Sequence, residues 1–263
     1  LMDRNFVFVE YCGVKLLVFA PWWKEGVVHG MTTRALAFRR ESLSESATML
    51  CRAVGASELA LAKQVHGAGV LDLREASLVS LIRNQHGDLL CRREADAVLA
   101  PLNASAQHGS LLAYGVMSAD CVPIILRGRD GYALVHAGWR GLACGVVAAA
   151  FRALGSVSEA LVFAAAGGER YEVGSEVVEA IGETASYRGA SNSGGKYLLD
   201  TAKTAARQLA QLAPGLPCHT ASLCTIEDQR FHSFRRDGES AGRCLTFVAP
   251  GAKLSIAGSI GTS

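Results

Sequence analysis

Short apolar runs broken by glycine and polar turns recur along the chain, with a few longer stretches of helical spacing between them. Phe6–Tyr11 and Val14–Ala20, joined at Cys12-Gly13, predict an N-terminal hairpin, and Val28–Thr33 a further short strand. Leu43–Val54 predicts a helix stopped by Gly55. Leu59–Val65 and Val70–Leu73 read as strands on either side of a break at His66-Gly67. Ala97–Ala100, Leu111–Met117, Val122–Leu126 and Tyr132–Val135 follow, the last two flanking the polar turn 127–131. An alanine-rich helix is expected from about Gly141 to Leu154, then a strand over Ala160–Ala165. Amphipathic spacing predicts helices over Ser175–Glu183 and Leu198–Leu212. A last strand, Cys244–Val248, precedes a Gly- and Ser-containing tail expected to be ordered only by docking. Neither a linker nor a fixed-period repeat appears. Residues 1–263 therefore read as one α/β domain, a mixed β-sheet core flanked by helices, with strands outnumbering helices.

The hairpin around the 127–131 turn has a chemical consequence. Cys121 stands just before its first strand and His136 just after its second, so pairing brings both to one edge of the sheet. His66 stands at an earlier strand break. One thiol and two imidazoles can form a three-ligand zinc site with a fourth position open to water or substrate. The plainer reading is that a lone buried cysteine is a small hydrophobe and a lone histidine at a strand end a satisfied hydrogen-bonder. The other histidines lack the spacings H-x-H and H-x-x-x-H. Of these, His29 and His232 can approach the site, whereas His86, His108 and His219 are expected to be solvated.

Arginines add a second signal. Arg140 opens the predicted helix after His136, and the segment 231–243 carries Arg235, Arg236 and Arg243 in one loop. Guanidinium forks and helix N-termini favour phosphate or carboxylate, and Arg34 can join them. The competing reading is a salt-bridged surface loop. Composition narrows the field: with 26 basic and 24 acidic residues the net charge is +2, which gives no general attraction to nucleic acid or membrane. The eight cysteines include no C-x-x-C pair, and a chain of 263 residues does not depend on disulfides, so a reduced, cytoplasmic protein is expected. The apolar run 14–20 is too short to cross a bilayer and lacks the basic flank of a signal peptide.

The motifs carry a resemblance when taken in order. Thr32-Thr-Arg34, Gln64-Val-His-Gly67, Asp96-Ala97, Ala119-Asp-Cys121, His136-Ala-Gly-Trp-Arg-Gly141, Tyr171-Glu-Val-Gly174, Cys224-Thr225 and Arg235-Arg-Asp-Gly238 with Gly242-Arg243 all occur. From roughly Val28 to Val248 the chain resembles the laccase-domain family, first called multicopper polyphenol oxidases. Members of that family are described as zinc-dependent purine nucleoside phosphorylases with adenosine deaminase activity, and one branch as peptidoglycan editing factor. The resemblance implies a single α/β domain distantly similar to cysteine-hydrolase toxins, with His66, Cys121 and His136 as metal ligands and catalytic centre. It implies zinc, with copper able to occupy the same site. Substrates would be a purine nucleoside (adenosine, inosine or methylthioadenosine) and phosphate, with a homodimer possible. Arg34, Arg140, Arg235, Arg236 and Arg243 match positions suited to an anionic group; Gln64, Asp120 and Thr33 match positions around the pocket, and Asp120 and Glu172 are the candidate proton shuttles. The alternatives are a precursor-editing amidase, a copper-dependent phenol oxidase and a cysteine hydrolase with Cys121 as nucleophile. Two stretches depart from the family pattern, Ala35–Glu41 in place of a Gly-Gly-Val-Ser turn and 163–170 in place of a Gly-Pro-x-Ile-Gly stretch.

Overall fold

The computed structural model describes residues 3–74, 90–103, 111–189 and 195–253. Among these, the strands form a seven-stranded mixed sheet, a six-stranded mixed sheet and a small three-stranded antiparallel one. Alternation along the strands explains how the two large sheets stack. In Val14–Phe19, Leu17 and Phe19 face one way and Leu16 and Val18 the other, and all four are buried. Leu17, Phe19, Tyr114 and Val116 of the larger sheet pack with Ile125, Leu134 and Leu161 of the second, which is the core between the sheets. On the outer face of the larger sheet, Leu16, Leu61 and Phe247 meet Leu50 and Val54 of the helix Leu43–Val54. On the outer face of the second, Ile124, Leu126 and Val135 meet Val146 and Ala150 together with Leu209 of the helix Thr201–Leu212. The order of layers is helix, sheet, sheet, helix, with both faces of each large sheet covered.

Most expected elements are present, with instructive differences. Leu43–Val54 is helical as expected and ends at Gly55, whose φ of 72° is the left-handed geometry glycine adopts without a Cβ penalty. The expected continuous helix from Gly141 to Leu154 is two helices, Trp139–Ala143 and Val146–Leu154. Gly145, at φ 80°, turns the chain between them. The expected helix from Leu198 starts only at Thr201, because Lys196–Leu199 pairs as a strand between Glu172–Gly174 and Tyr187–Gly189. Asp200 then caps the helix, its carboxylate accepting the Lys203 N–H at 2.9 Å. The strand expected at Ala160–Ala165 runs Val157–Val162. Val14–Ala20 gives up Ala20 to a short helix, Ala20–Lys24, in which Pro21 occupies the first turn. Short strands at Leu90–Glu94 and Cys218–Thr220 are not anticipated by periodicity, which needs longer runs to register. No helix of the described residues is long and apolar enough to cross a membrane. The seven described cysteines other than Cys91 are free thiols. His86, His108 and the C-terminal tail lie outside the described residues.

Candidate metal centre and its pocket

Two strands hand the chain from one large sheet to the other at the site. Leu112–Ser118 belongs to the larger sheet and Val122–Gly128 to the second, so Ala119-Asp-Cys121 is the crossing. Asp120 takes φ 93° there. Val122–Gly128 and Gly131–Ala137 pair antiparallel, with Pro123 opposite His136 and Val122 opposite Ala137, so the hairpin brings Cys121 to His136 as its register requires. His66 lies just beyond the strand Glu58–Lys63, at φ 61°. The ligand atoms of His66, Cys121 and His136 all lie within 4.8 Å of one another, and the two imidazole centroids are 4.9 Å apart at 73°.

A residue not expected at the site organises it. Asp96 is fully buried and accepts the backbone N–H groups of Val65, His66 and Gly67 at 3.2, 2.9 and 2.7 Å. It also bonds His136 Nδ1 at 2.9 Å. A carboxylate only accepts, so Nδ1 carries the proton and Nε2 is left to bind metal. This is the carboxylate–histidine pairing that orients metal ligands. The only sequence signal for it was Asp96-Ala97 within the ordered motif set, because its partners lie about 30 residues before it and 40 after it.

Electrostatics follow from this geometry. Burial alone would push the Cys121 thiol up, but hydrogen bonds and charge from His136 and His66 bring it down from 9.0 to about 6. Burial opposes charge on His136 too, yet Asp96 and Cys121 raise it from 6.5 to about 9. Each partner thus favours the charged form of the other, thiolate on Cys121 and imidazolium on His136. Two imidazole nitrogens and a thiolate converging on one point, with an anchored tautomer behind them, fit a zinc-type ligand set. Gly138 keeps the trio close: a Cβ there would lie 2.7 Å from Cys121 Sγ and 3.2 Å from His66 Cδ2.

The trio forms the floor of a pocket of about 1060 Å³ whose wall includes Gln64, Trp139, Arg140, Tyr171, Phe234, Arg235 and Arg243. Each pocket arginine lies over an aromatic ring: Arg140 over Trp139 at 4.3 Å, Arg235 over Tyr171 at 4.7 Å and Arg243 over Phe234 at 5.8 Å. Arg243 is also held by strand-like pairing with Phe38, two backbone bonds of 3.0 Å, so the departing segment 35–41 supplies a wall anchor. The other departing segment, Phe163 to Ala166, is buried, and the Ala166 N–H bonds the Asp120 carbonyl at 2.8 Å.

Several expectations need correcting. Arg236 does not line the pocket. Its guanidinium is spent on Asp237 and on the carbonyls of Thr225, Ile226 and Phe231. Arg34 pairs with Asp237 at 3.2 Å, and neither it nor buried Thr33 is in the wall. Gln64 is in the wall, but its amide is clamped to the Met117 backbone at 2.7 and 2.8 Å, which extends the sheet ladder where the strands part. Asp120 does line the pocket, as expected, and receives Thr225 Oγ1 at 2.7 Å and the Arg235 N–H at 2.6 Å, so it secures the arginine-bearing turn Phe234–Asp237. Glu172 pairs with Lys196 and is not in the wall. His29 is packed against Trp22 and bonded to Phe19 N and Val27 O, far from the approach expected of it, and burial brings it down to about 4. His232 is buried outside the pocket wall. His219, expected in solvent, bridges Asp3 at 3.4 Å and Glu159 at 3.2 Å.

Residues 37–250 match the model of the family described as multi-copper polyphenol oxidoreductase laccase. The chain belongs to this laccase family. Relatives within reach of this laccase-family chain include a purine nucleoside phosphorylase of Aquifex aeolicus, 38% identical over 160 residues that span 59% of this chain and 70% of that one. Another, from Xylella fastidiosa, is 36% identical over 196 residues, 71% of this chain and 70% of the relative, and is also named a purine nucleoside phosphorylase. Among solved structures, YlmD from Geobacillus stearothermophilus superposes with a TM-score of 0.72 at 24% identity, covering 89% of this chain and 96% of that one. The fold is thus a laccase-family fold, with the His66, Cys121 and His136 trio inside the matched region.

Proposed function

We propose that this chain is a metal-dependent purine nucleoside phosphorylase. In that reaction a phosphate oxygen bonds to ribose C1′ as the C1′–N9 bond breaks. The electron pair leaves with the base, which takes up a proton, and ribose 1-phosphate and free purine result. The observation that carries the reading is one pocket with a metal-competent trio on its floor and Arg140, Arg235 and Arg243 in its wall. The names of the Aquifex and Xylella relatives support it. His66, Cys121 and His136 would hold zinc, and Asp96 would fix the His136 tautomer; copper suits the same two-nitrogen, one-sulfur set less selectively. Bound zinc supplies a Lewis acid toward a substrate oxygen and can bring a bound water toward a pKa of ~7. The arginines, held over their aromatic partners, orient phosphate against the sugar, a proximity contribution. No His-x-His pair occurs in the sequence, so the repeated ligand pattern of blue-copper oxidases is missing.

Deamination of adenosine at the same centre is the weaker reading. It calls for a carboxylate beside the metal, whereas Asp120 is engaged through both oxygens and Glu172 is turned to Lys196. A second reading has its own observation: Cys121, His136 and Asp96 form a thiolate–imidazole–carboxylate series that a cysteine hydrolase or precursor-editing amidase would use. A reducing cytoplasm suits either reading, since both need Cys121 as a free thiol.

The test is to incubate zinc-loaded protein with inosine or adenosine, with and without phosphate, and separate the products by chromatography. Phosphate-dependent release of free base, abolished by chelator and in Cys121→Ala, is expected. Thiol-dependent activity that persists in chelator would favour the hydrolase reading instead.

A further inference from the structure

A purine that leaves a sugar takes up a proton, so the pocket needs a group that can give one. Asp120 accepts with one oxygen from Thr225 and with the other from the Arg235 backbone, so neither turns a hydrogen into the pocket. Ser118 Oγ is sealed from solvent. The Lys63 ammonium is held by Glu94 at 2.8 Å. Guanidinium, indole and amide groups of the wall donate hydrogen bonds but keep their protons at neutral pH. Outside the metal trio, the described wall leaves one hydroxyl, that of Tyr171.

Tyr171 is firmly placed. Its N–H bonds the Gly167 carbonyl at 3.0 Å and its own carbonyl accepts the Leu199 N–H at 2.9 Å. The Arg235 guanidinium lies over the ring at 4.7 Å and is anchored on the Glu172 carbonyl at 2.9 Å. Arg235 also gives the phenol oxygen a hydrogen bond, which leaves the hydroxyl hydrogen for another acceptor. Burial holds the phenol above its ordinary 10.0, so that hydrogen is present at neutral pH.

We infer that Tyr171 is the catalytic proton donor to the departing base, reaching the purine at N7. The inference rests on the phosphorylase reading and supplies its acid. As a phosphate oxygen bonds to C1′, the C1′–N9 electron pair moves into the purine and N7 takes the phenolic proton. The phenolate is left beside the Arg235 guanidinium, regains a proton from water, and water takes the phosphate's own proton in exchange. A positioned general acid contributes roughly 100- to 10,000-fold to the rate.

The experiment compares the zinc-loaded protein with Tyr171→Phe, which keeps the ring under Arg235 and removes the hydroxyl. The substrates are inosine and 7-methylinosine, whose N7 is already methylated and positive, so its base leaves without a proton. Tyr171→Phe should lower kcat for inosine about 100-fold or more and leave that for 7-methylinosine at the wild-type level. An equal fall with both, or no fall with inosine, overturns the inference while phosphorolysis stands. If the wild type rejects 7-methylinosine, the solvent deuterium effect on kcat with inosine decides: present in the wild type and lost in Tyr171→Phe upholds the donor, and any other pattern overturns it. Zinc affinity, read by chelator competition, should be the same in both proteins; a weaker site in the variant would make Tyr171 a support of the metal centre and overturn its role as donor. Should the wild type turn over neither nucleoside, the phosphorylase reading fails and this inference with it.

Discussion

At Asp96 one carboxylate accepts from three consecutive backbone N–H groups and from His136, so it shapes the His66 loop and sets the His136 tautomer together. An Asp96→Asn amide presents hydrogens where those N–H donors point, and the orientation of both ligands suffers. We expect its zinc affinity to fall roughly 10- to 100-fold, read by competition with a chromophoric chelator; unchanged affinity would show that Asp96 supports folding alone. The trio also predicts a titration. In metal-free protein the Cys121 thiol sits at about 6, below its ordinary 9.0, so thiolate is present at neutral pH and is lost as pH falls through about 6. Ultraviolet thiolate absorbance that is missing in Cys121→Ala should disappear over that range; a midpoint near 9 would mean the imidazoles do not reach the sulfur. The clustering of Cys121 with His136 was readable in the sequence because one hairpin places them together, while His66 joined them through the ordered motifs of the family resemblance. Residues that act through them were not: the charge of Arg236 and Arg34 shows in the sequence, but their pairing with Asp237 shows only in three dimensions.

Among the elements, the hairpin of Val122–Gly128 and Gly131–Ala137 was legible because alternation and a polar turn fix register together. The errors fell where a local capping choice overrides periodicity. Apolar spacing alone carries a helix through Cys144-Gly145, and only the left-handed φ of Gly145 stops it. The start of Thr201–Leu212 is set by Asp200, whose carboxylate bonds both the Lys203 N–H and its ammonium, at 2.9 and 3.0 Å. Asp200→Ala should lower stability by about 1 kcal/mol, measured by urea unfolding, with zinc affinity unchanged. A loss of zinc affinity in this variant would mean that the helix helps hold the site.

Across the whole molecule, the two stacked sheets place the site. Cys121 lies on the crossing between them, His66 just past the end of an inner strand of the larger and His136 near the end of a hairpin strand of the second. Ligands from three chain segments therefore meet only when both sheets have formed and packed through Leu17, Tyr114, Leu134 and Leu161. Sequence patterning could read strands on each side, yet it could not say that strands of separate sheets share one end, because sheet order is a long-range property. The same closure leaves the arginine-bearing turn Phe234–Asp237 in the pocket wall, tied by Asp120 to the crossing that carries Cys121. The metal-competent trio and the arginine-bearing turn are thus mechanically linked. The most direct test titrates zinc into metal-free protein while following phosphate-dependent release of hypoxanthine from inosine. Activity should rise to a break at one equivalent of zinc per chain and be absent throughout in Cys121→Ala. Full activity without zinc, or an undiminished rate in that variant, would contradict the assignment of catalysis to this centre.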